Sequence, residues 1–191
     1  MKSPESVYRR TKQRNKVIVI SGILFLLLFT SYFVFISFVV NFHAITPGEA
    51  YRSAQLNKKE FENYIIKYGI KSVLNLRGRN EDEQWYNDEI NICSSLGVAH
   101  YDVKLSAINE PPVEEIRKVL ETFKSAPRPI LIHCRYGADR TGLVAAMWKV
   151  AVDNESKAQA EKQFAILYGH MPFGLTRAMD KYFERWNPPE K

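Results

Sequence analysis

HCRYGADRTG, residues His133 to Gly142, sets a cysteine six positions ahead of an arginine with glycine between them. The apolar run PILIH (129–133) leads into this stretch and predicts a short buried strand. GLVAAMWKVAV (142–152) follows it and predicts a buried helix. The loop therefore delivers the chain to a helix N-terminus, where unpaired backbone N–H groups and the positive end of the helix dipole favour an anion. Gly137 lets the backbone curl so that the amides from Arg135 to Arg140 turn inward as a nest. The reading is a pocket for a phosphoryl group.

Each side chain of the stretch has work to do in such a pocket. Cys134 sits at the centre of the nest, where a helix N-terminus and a nearby arginine favour thiolate over thiol, which makes it a nucleophile with no separate base. Arg140 offers a planar fork that matches two phosphoryl oxygens, a match lysine cannot reproduce, and it would stabilise the transition state as well as hold the substrate. The Thr141 hydroxyl falls close to the sulfur, placed to stabilise the thiolate and to assist its departure from a phosphocysteine. His133 is expected to orient the loop through hydrogen bonds, and Arg135, Tyr136, Gly137 and Ala138 to line the bound group with it.

HCRYGADRTG resembles the signature of the cysteine-dependent protein tyrosine and dual-specificity phosphatases, with His, Cys, Gly, Arg, Thr and Gly all in place. Its late position argues against the low-molecular-weight phosphatases, which carry their signature near the start, and Arg140-Thr141-Gly142 does not suit a rhodanese-type sulfur carrier. PGEAYRSAQL (47–56) and GIKSVLNLRGRNEDE (69–83) are similar to the leading segments of a bacterial and fungal dual-specificity-like branch whose loop reads Gly-x-Asp-Arg-Thr, as Gly137 to Thr141 do. The likeness runs over most of residues 45 to 175. Arg52 and Arg77, within it, read equally as solvated ends of strands or as contacts for phosphate or an acidic substrate.

The resemblance also implies an acid that protonates the leaving oxygen and then activates water against the phosphocysteine. Related phosphatases place an aspartate in the loop before the Pro-Pro helix. Here that loop, SAINEPP (106–112), has none. Three residues stand as candidates. Asp139, in the signature, ranks first, with capping of the following helix as its plain alternative. Glu110, on the loop, ranks next, although it also serves as a favourable charge at a helix start. Asp102 is third, because it lies within a strand and its side chain is expected to face away from Tyr101, Val103 and Leu105.

Residues 17–40, VIVISGILFLLLFTSYFVFISFVV, contain no charge. As a helix they would extend about 36 Å, enough to cross a hydrocarbon core of about 30 Å with some tilt. NFHAITPG beyond them is a poor cleavage site, so an uncleaved signal anchor is favoured over a signal peptide. Lys2, Arg9, Arg10, Lys12, Arg14 and Lys16 precede the run against the single acid Glu5. The positive-inside rule then predicts a cytoplasmic N-terminus and a catalytic domain on the far side, periplasmic or extracellular in a bacterium. The expected organisation is a basic tail (1–16), a transmembrane helix (17–40) and a phosphatase domain (45–187).

Of the net charge of +6, five units belong to the tail. Taking its six bases and one acid from totals of 27 and 21 leaves 21 and 20, a nearly neutral domain with no broad basic face for nucleic acid. The tail itself could touch anionic headgroups. Two cysteines make no disulfide framework. Cys93 reads as a small core residue on an amphipathic helix; a weaker alternative is a reversible disulfide with Cys134. No His-rich or carboxylate cluster suggests a metal and no nucleotide loop occurs, so no cofactor is expected.

Along the chain, Pro47-Gly48 marks a turn and EAYRSAQL an edge strand. Asn57 and Glu60 cap a helix that ends at Gly69; KSVLNL is a buried strand. RGRNEDEQ starts a helix running to Leu96; VAHYDVKL is a strand, and Pro111-Pro112 open a helix to Lys124. Helices follow at 142–152, 156–168 and 175–186. The alternation predicts an α/β fold, with a mostly parallel central sheet flanked by helices, dual-specificity phosphatase-like, preceded by one transmembrane helix. The signature falls at the carboxyl end of a central strand, where such sheets bind ligands. The expected function is phosphomonoester hydrolysis through a phosphocysteine, on phosphotyrosine or phosphoprotein, or on phosphorylated lipid or inositol. The alternative is a weak or inactive phosphate-binding module anchored to a membrane.

Overall fold

The computed structural model describes residues 4–38, 40–171 and 174–188; Lys2 of the basic tail and Val39 of the apolar run lie outside these. The chain divides into two units, Met1–Phe38 and Val39–Lys191. The first is the single helix α1 (Pro4–Phe38), which takes in the basic stretch as well as the apolar one. Pro4 suits a first helical position, and nothing after it breaks the run. Within α1, Lys12–Tyr32 is long and apolar enough to cross a membrane. Its apolar side chains are exposed, Phe25 by 70%.

The second unit is built on a five-stranded sheet of β1 (His43–Thr46), β2 (Ala50–Ser53), β3 (Ser72–Asn75), β4 (Ala99–Asp102) and β5 (Ile130–His133) in the order β1-β2-β5-β3-β4. β1 runs antiparallel to β2, and the other neighbours are parallel. Pro47 and Gly48 form the β1–β2 turn, closed by Glu49 N–H donating to Thr46 O at 3.0 Å, with Gly48 at φ +78°. The expected edge strand EAYRSAQL is a correction: β2 is paired on both sides, and Ala50, Arg52 and Ser53 are buried. The edge on that side is β1, supplied by the segment after the apolar run.

Helices α2 (Lys58–Tyr68) and α3 (Gln84–Leu96) bury Phe61, Ile65, Ile92 and Cys93 with Val73 and Leu131 of the sheet. On the other face α4 (Val113–Ser125), α5 (Asp139–Ala151) and α7 (Ala178–Arg185) pack Val119, Phe123, Met147 and Phe183 with Leu74, Ile130 and Ile132. Alternate strand residues thus feed opposite layers, as a sheet buried on both sides requires. Asn57 and Glu60 form a reciprocal capping box at α2, and Gly69 closes that helix in the left-handed conformation.

Four boundaries differ from expectation. RGRNEDE stays outside α3, because the Asn80 amide donates to Arg77 O and Gly78 O and the Asn75 amide also reaches Gly78 O, capturing backbone groups a helix would use. The helix expected over 156–168 is only α6 (Lys157–Ala160), followed by 3₁₀ turns at 161–164 and 166–168. Gln163 O there accepts from Arg52 instead of continuing a helix. The last helix likewise begins as a 3₁₀ turn at 175–177 before α7. In the other direction, α5 starts at Asp139, earlier than Gly142, and so draws Asp139 and Arg140 into its first turn.

Candidate active site

β5 is the middle strand, and the signature loop leaves its carboxyl end to enter α5. The loop's shape follows from what grips its carbonyls. His133 O accepts from Leu76 N–H at 2.9 Å, Arg135 O from Gln55 N–H at 3.2 Å, Tyr136 O from Asn41 Nδ2 at 2.9 Å and Gly137 O from Arg52 Nη2 at 2.8 Å. Ala138 O takes the first bond of α5, from Gly142 N–H at 2.7 Å, and a longer one from Arg52 Nη2. In a trans peptide the N–H points opposite to the C=O. Holding the carbonyls of 135–138 outward therefore turns the N–H groups of Tyr136 through Asp139 to the other side, a concavity suited to an anion. Gly137 has φ +67°, and a Cβ there would come within 2.7 Å of the Ser53–Ala54 backbone. Only glycine fits that contact.

Arg52 is wholly buried, which corrects its reading as a solvated strand end. Its Nη1 donates to Gln163 O at 2.8 Å and Gln163 Oε1 at 2.9 Å, and its guanidinium stacks 4.0 Å from the Tyr168 ring centre. Burial pulls its pKa down to about 10, with Tyr168 and Cys134 opposing the fall. Arg77 is half-buried, 3.6 Å over the ring of Trp85, and donates from Nη1 to Gln55 Oε1 at 3.0 Å. Burial and the positive charges of Arg140 and Arg135 lower its pKa. Arg77 thus lies in the electrostatic field of the loop.

Cys134 is 2% exposed and free, at the base of the loop. Arg140 is partly exposed, its Nη1 3.4 Å from Leu76 O and from Leu105 O. The Thr141 hydroxyl is buried and has no hydrogen-bond partner among the described residues. Tyr136 is 48% exposed, whereas Ala138 is buried. His133 is buried, its Nε2 3.1 Å from Glu89 Oε1. Glu89, 2% exposed on α3, also meets His100 Nε2 at 2.8 Å and accepts from Gln55 Nε2 at 3.1 Å. Burial raises its pKa, but His133 and His100 outweigh that and hold it well below the usual carboxylate range. Cys93 lies in the apolar cluster of the α2–α3 layer and Cys134 in that of the opposite layer. Burial, with Glu89 nearby, pushes the Cys93 thiol up to about 12, the state of an inert core residue.

The three acid candidates go to three places. Asp102 accepts from Asn75 Nδ2 at 2.8 Å and from Tyr86 OH at 2.6 Å. Asp139 Oδ1 is 2.8 Å from Nδ1 of the buried His170, whose Nε2 is 2.9 Å from Asp180 Oδ1. Glu110 is exposed and ion-paired with Arg185. Among the described residues no cluster of His, Cys, Asp or Glu would hold a metal ion.

Asn41, Glu89 and His170 escaped the sequence reading. Glu89 did leave a trace: Tyr86, Ile92 and Cys93 share its helical face, so a carboxylate stands in an apolar stripe. His170 lies in a connecting segment with no such pattern.

His170 gives a pH prediction. Burial disfavours its charge, but the hydrogen bond to Asp139 and the charges of Asp180 and Asp139 prevail and raise its pKa above 6.5. A raised folded value means stabilisation fully present below the ordinary histidine value and lost as pH rises through the raised one. Melting temperature should therefore fall from neutral to alkaline pH in the wild type. In His170→Gln that part of the slope should vanish.

The chain has counterparts among known proteins. The family model described as a DSP-PTPase phosphatase fused to NAD+ kinase matches residues 47–177. The chain belongs to this DSP-PTPase family. Inositol diphosphatase SIW14 of Saccharomyces cerevisiae is 30% identical over 158 residues, covering 76% of this chain and 53% of that protein. Dual specificity protein phosphatase TpbA of Pseudomonas aeruginosa is 29% identical over 125 residues, covering 63% and 51%. The chain spans about half the length of these curated relatives. The crystal structure of the SIW14 core catalytic domain in complex with citrate superposes with a TM-score of 0.62 at 25% identity, covering 77% and 85% of the two chains. That of TpbA gives 0.62 at 24%, covering 78% and 86%, a likeness of fold. The mostly parallel α/β sheet is thus the DSP-PTPase fold.

Proposed function

We propose that this DSP-PTPase chain is a phosphatase that works through a phosphocysteine. The observation that carries the proposal is the outward capture of four successive loop carbonyls around a buried cysteine, with Arg140 in the first turn of α5. The Cys134 thiolate attacks phosphorus, and the S–P bond forms as the P–O bond to the leaving group breaks. Loop N–H groups and the Arg140 fork hold the equatorial oxygens as charge develops. Water then attacks phosphorus, the S–P bond breaks, and phosphate and thiolate are released. Thr141, with its hydroxyl unspent inside the structure, supports that departure.

The leaving group narrows the substrate. Asp102 and Asp139 both commit carboxylate oxygens to internal partners, and Glu110 is paired with Arg185. Asp139 is better placed to fix the start of α5 than to deliver a proton. With protonation weakly provided, substrates that expel a phenolate or a phosphate are favoured over alkyl phosphates such as those of lipids. SIW14 is named for an inositol diphosphate, and a TpbA structure is described in complex with phosphotyrosine. Between these classes, the Arg77 guanidinium, held by Trp85 and Gln55 beside the loop, favours a substrate with a second phosphoryl group.

The test is to trap the phosphoryl adduct on Cys134 by rapid quench and intact mass, then to compare kcat/KM for an inositol diphosphate, a phosphotyrosine peptide and an alkyl phosphate. An adduct, with the alkyl ester poorest, is expected. Binding of phosphate without any adduct would instead identify a recognition module. Arg77→Gln should lower kcat/KM for the diphosphate roughly 10-fold more than for the phosphotyrosine peptide, the scale of one charge-assisted contact. An equal loss on both would remove Arg77 from substrate choice.

The placement of the catalytic unit belongs to the same proposal. The charge-free run and the six bases ahead of it support a single-pass anchor with a cytoplasmic N-terminus and the catalytic unit on the far side. Protease added to intact spheroplasts should then degrade the catalytic unit.

A further inference from the structure

Asn41 lies just past the end of α1 (Phe38) and upstream of the residues the family model matches, 47–177. It is nevertheless 4% exposed, and its backbone takes the left-handed conformation at φ +43°. Asparagine and glycine tolerate that conformation better than other residues. The side-chain amide has two hydrogens, and both are spent across the fold. Nδ2 donates to Tyr136 O in the signature loop at 2.9 Å and to Tyr168 O at 2.9 Å.

The flanking residues pin the segment in place. Val40 O accepts from Ala54 N–H at 2.9 Å, and the Phe42 ring packs on Tyr51, Tyr64 and Tyr68 with ring centres 5.3, 4.3 and 4.6 Å away. His43 meets the edge of Tyr168. Tyr168 in turn is the ring beneath Arg52, which grips the next loop carbonyl, Gly137 O. One amide thus secures one carbonyl of the nest directly and the platform of the arginine that secures its neighbour.

We propose that Asn41 is a positioning residue of the phosphatase reaction, which makes residues 40–42, just ahead of β1, a working part of the active site. It acts by keeping Tyr136 O outward, so that the N–H of Gly137 stays turned toward the bound phosphoryl group. The proposal rests on the phosphatase reading for its kinetic readout and has a second readout that does not need turnover.

The test compares wild type, Asn41→Gly and Asn41→Asp as full chains in detergent. Glycine keeps the left-handed backbone while deleting both hydrogen bonds. Aspartate keeps shape and sets acceptors against two carbonyls. With an aryl phosphate, kcat should fall about 10- to 100-fold in Asn41→Gly, the cost of a misaligned catalytic group, and further in Asn41→Asp, with KM changed far less. The rate of Cys134 alkylation by iodoacetamide at neutral pH should fall in both variants, since an amide that stabilises the thiolate is lost. Unchanged kcat and alkylation rate in Asn41→Gly would overturn the proposal even if its melting temperature dropped. Should that variant not fold, Asn41→Asp carries the same comparison. A wild-type chain that turns over no phosphoester, with alkylation still slowed in the variants, would refute the phosphatase reading while leaving the hold of Asn41 on the loop around Cys134 standing.

Discussion

Cys134→Ser should abolish turnover of an aryl phosphate, by roughly 10⁴-fold or more, while phosphate or vanadate still binds. The scale is that of removing the nucleophile from an enzyme that works through a covalent intermediate. A serine hydroxyl is a far weaker nucleophile than a thiolate, and His133 turns its Nε2 to Glu89 while Asp139 turns its Oδ1 to His170. Binding should persist, because the nest is made by main chain held from outside, by Leu76, Gln55, Asn41 and Arg52, none of which touches the sulfur in order to do so. Turnover is read by phosphate release, and retained affinity by the rise in melting temperature with vanadate. Loss of both together would mean that the sulfur shapes the pocket as well as reacting in it.

Arg52→Met should be the most damaging substitution outside the signature. The side chain is wholly buried, and its guanidinium satisfies Gln163 O, Gln163 Oε1 and Gly137 O. Methionine fills most of the volume but leaves these acceptors without a donor. Each buried orphan costs about 1–3 kcal/mol, so a loss of roughly 3–5 kcal/mol is expected by urea denaturation. Activity should fall beyond what stability explains, because Gly137 O is released and the loop loses one of its outward holds. Arg52→Lys, which keeps the charge without the fork, should recover part of the stability and little of the activity. A variant with ordinary kcat at a temperature where it remains folded would show that the loop holds its shape without Arg52.

The signature was legible because its chemistry is local. Six residues in a fixed order between two apolar runs specify strand, turn and helix, and β5, the loop and α5 follow that order. The α2 caps were legible for the same reason, since Asn57, Glu60 and Gly69 act within their own helix. Distant partners were not. Arg52 looks like any strand arginine until Gln163, Gly137 and Tyr168 close over it, and those positions are 85 to 116 residues away in the chain. Asn41 and His170 sit in connecting segments with no periodicity, and their meaning comes from carbonyls and carboxylates brought up by other elements. The 3₁₀ turns after α6 were misjudged for a related reason, as their backbone answers to Arg52 and not to helix propensity.

The place of β5 in the sheet has a consequence for how the protein matures. This strand comes last in the chain yet slots between β2 and β3, so neither of those can finish the sheet before it arrives. The residues that shape the nucleophile's surroundings come from positions 41, 52, 55, 76, 163 and 168 as well as from the signature itself. During synthesis, or during passage of an unfolded chain to another compartment, Cys134 is one more unremarkable side chain. On the proposed phosphatase reading, the reactivity of Cys134 depends on all of these residues being in place, so a half-made molecule would hold no premature hydrolase.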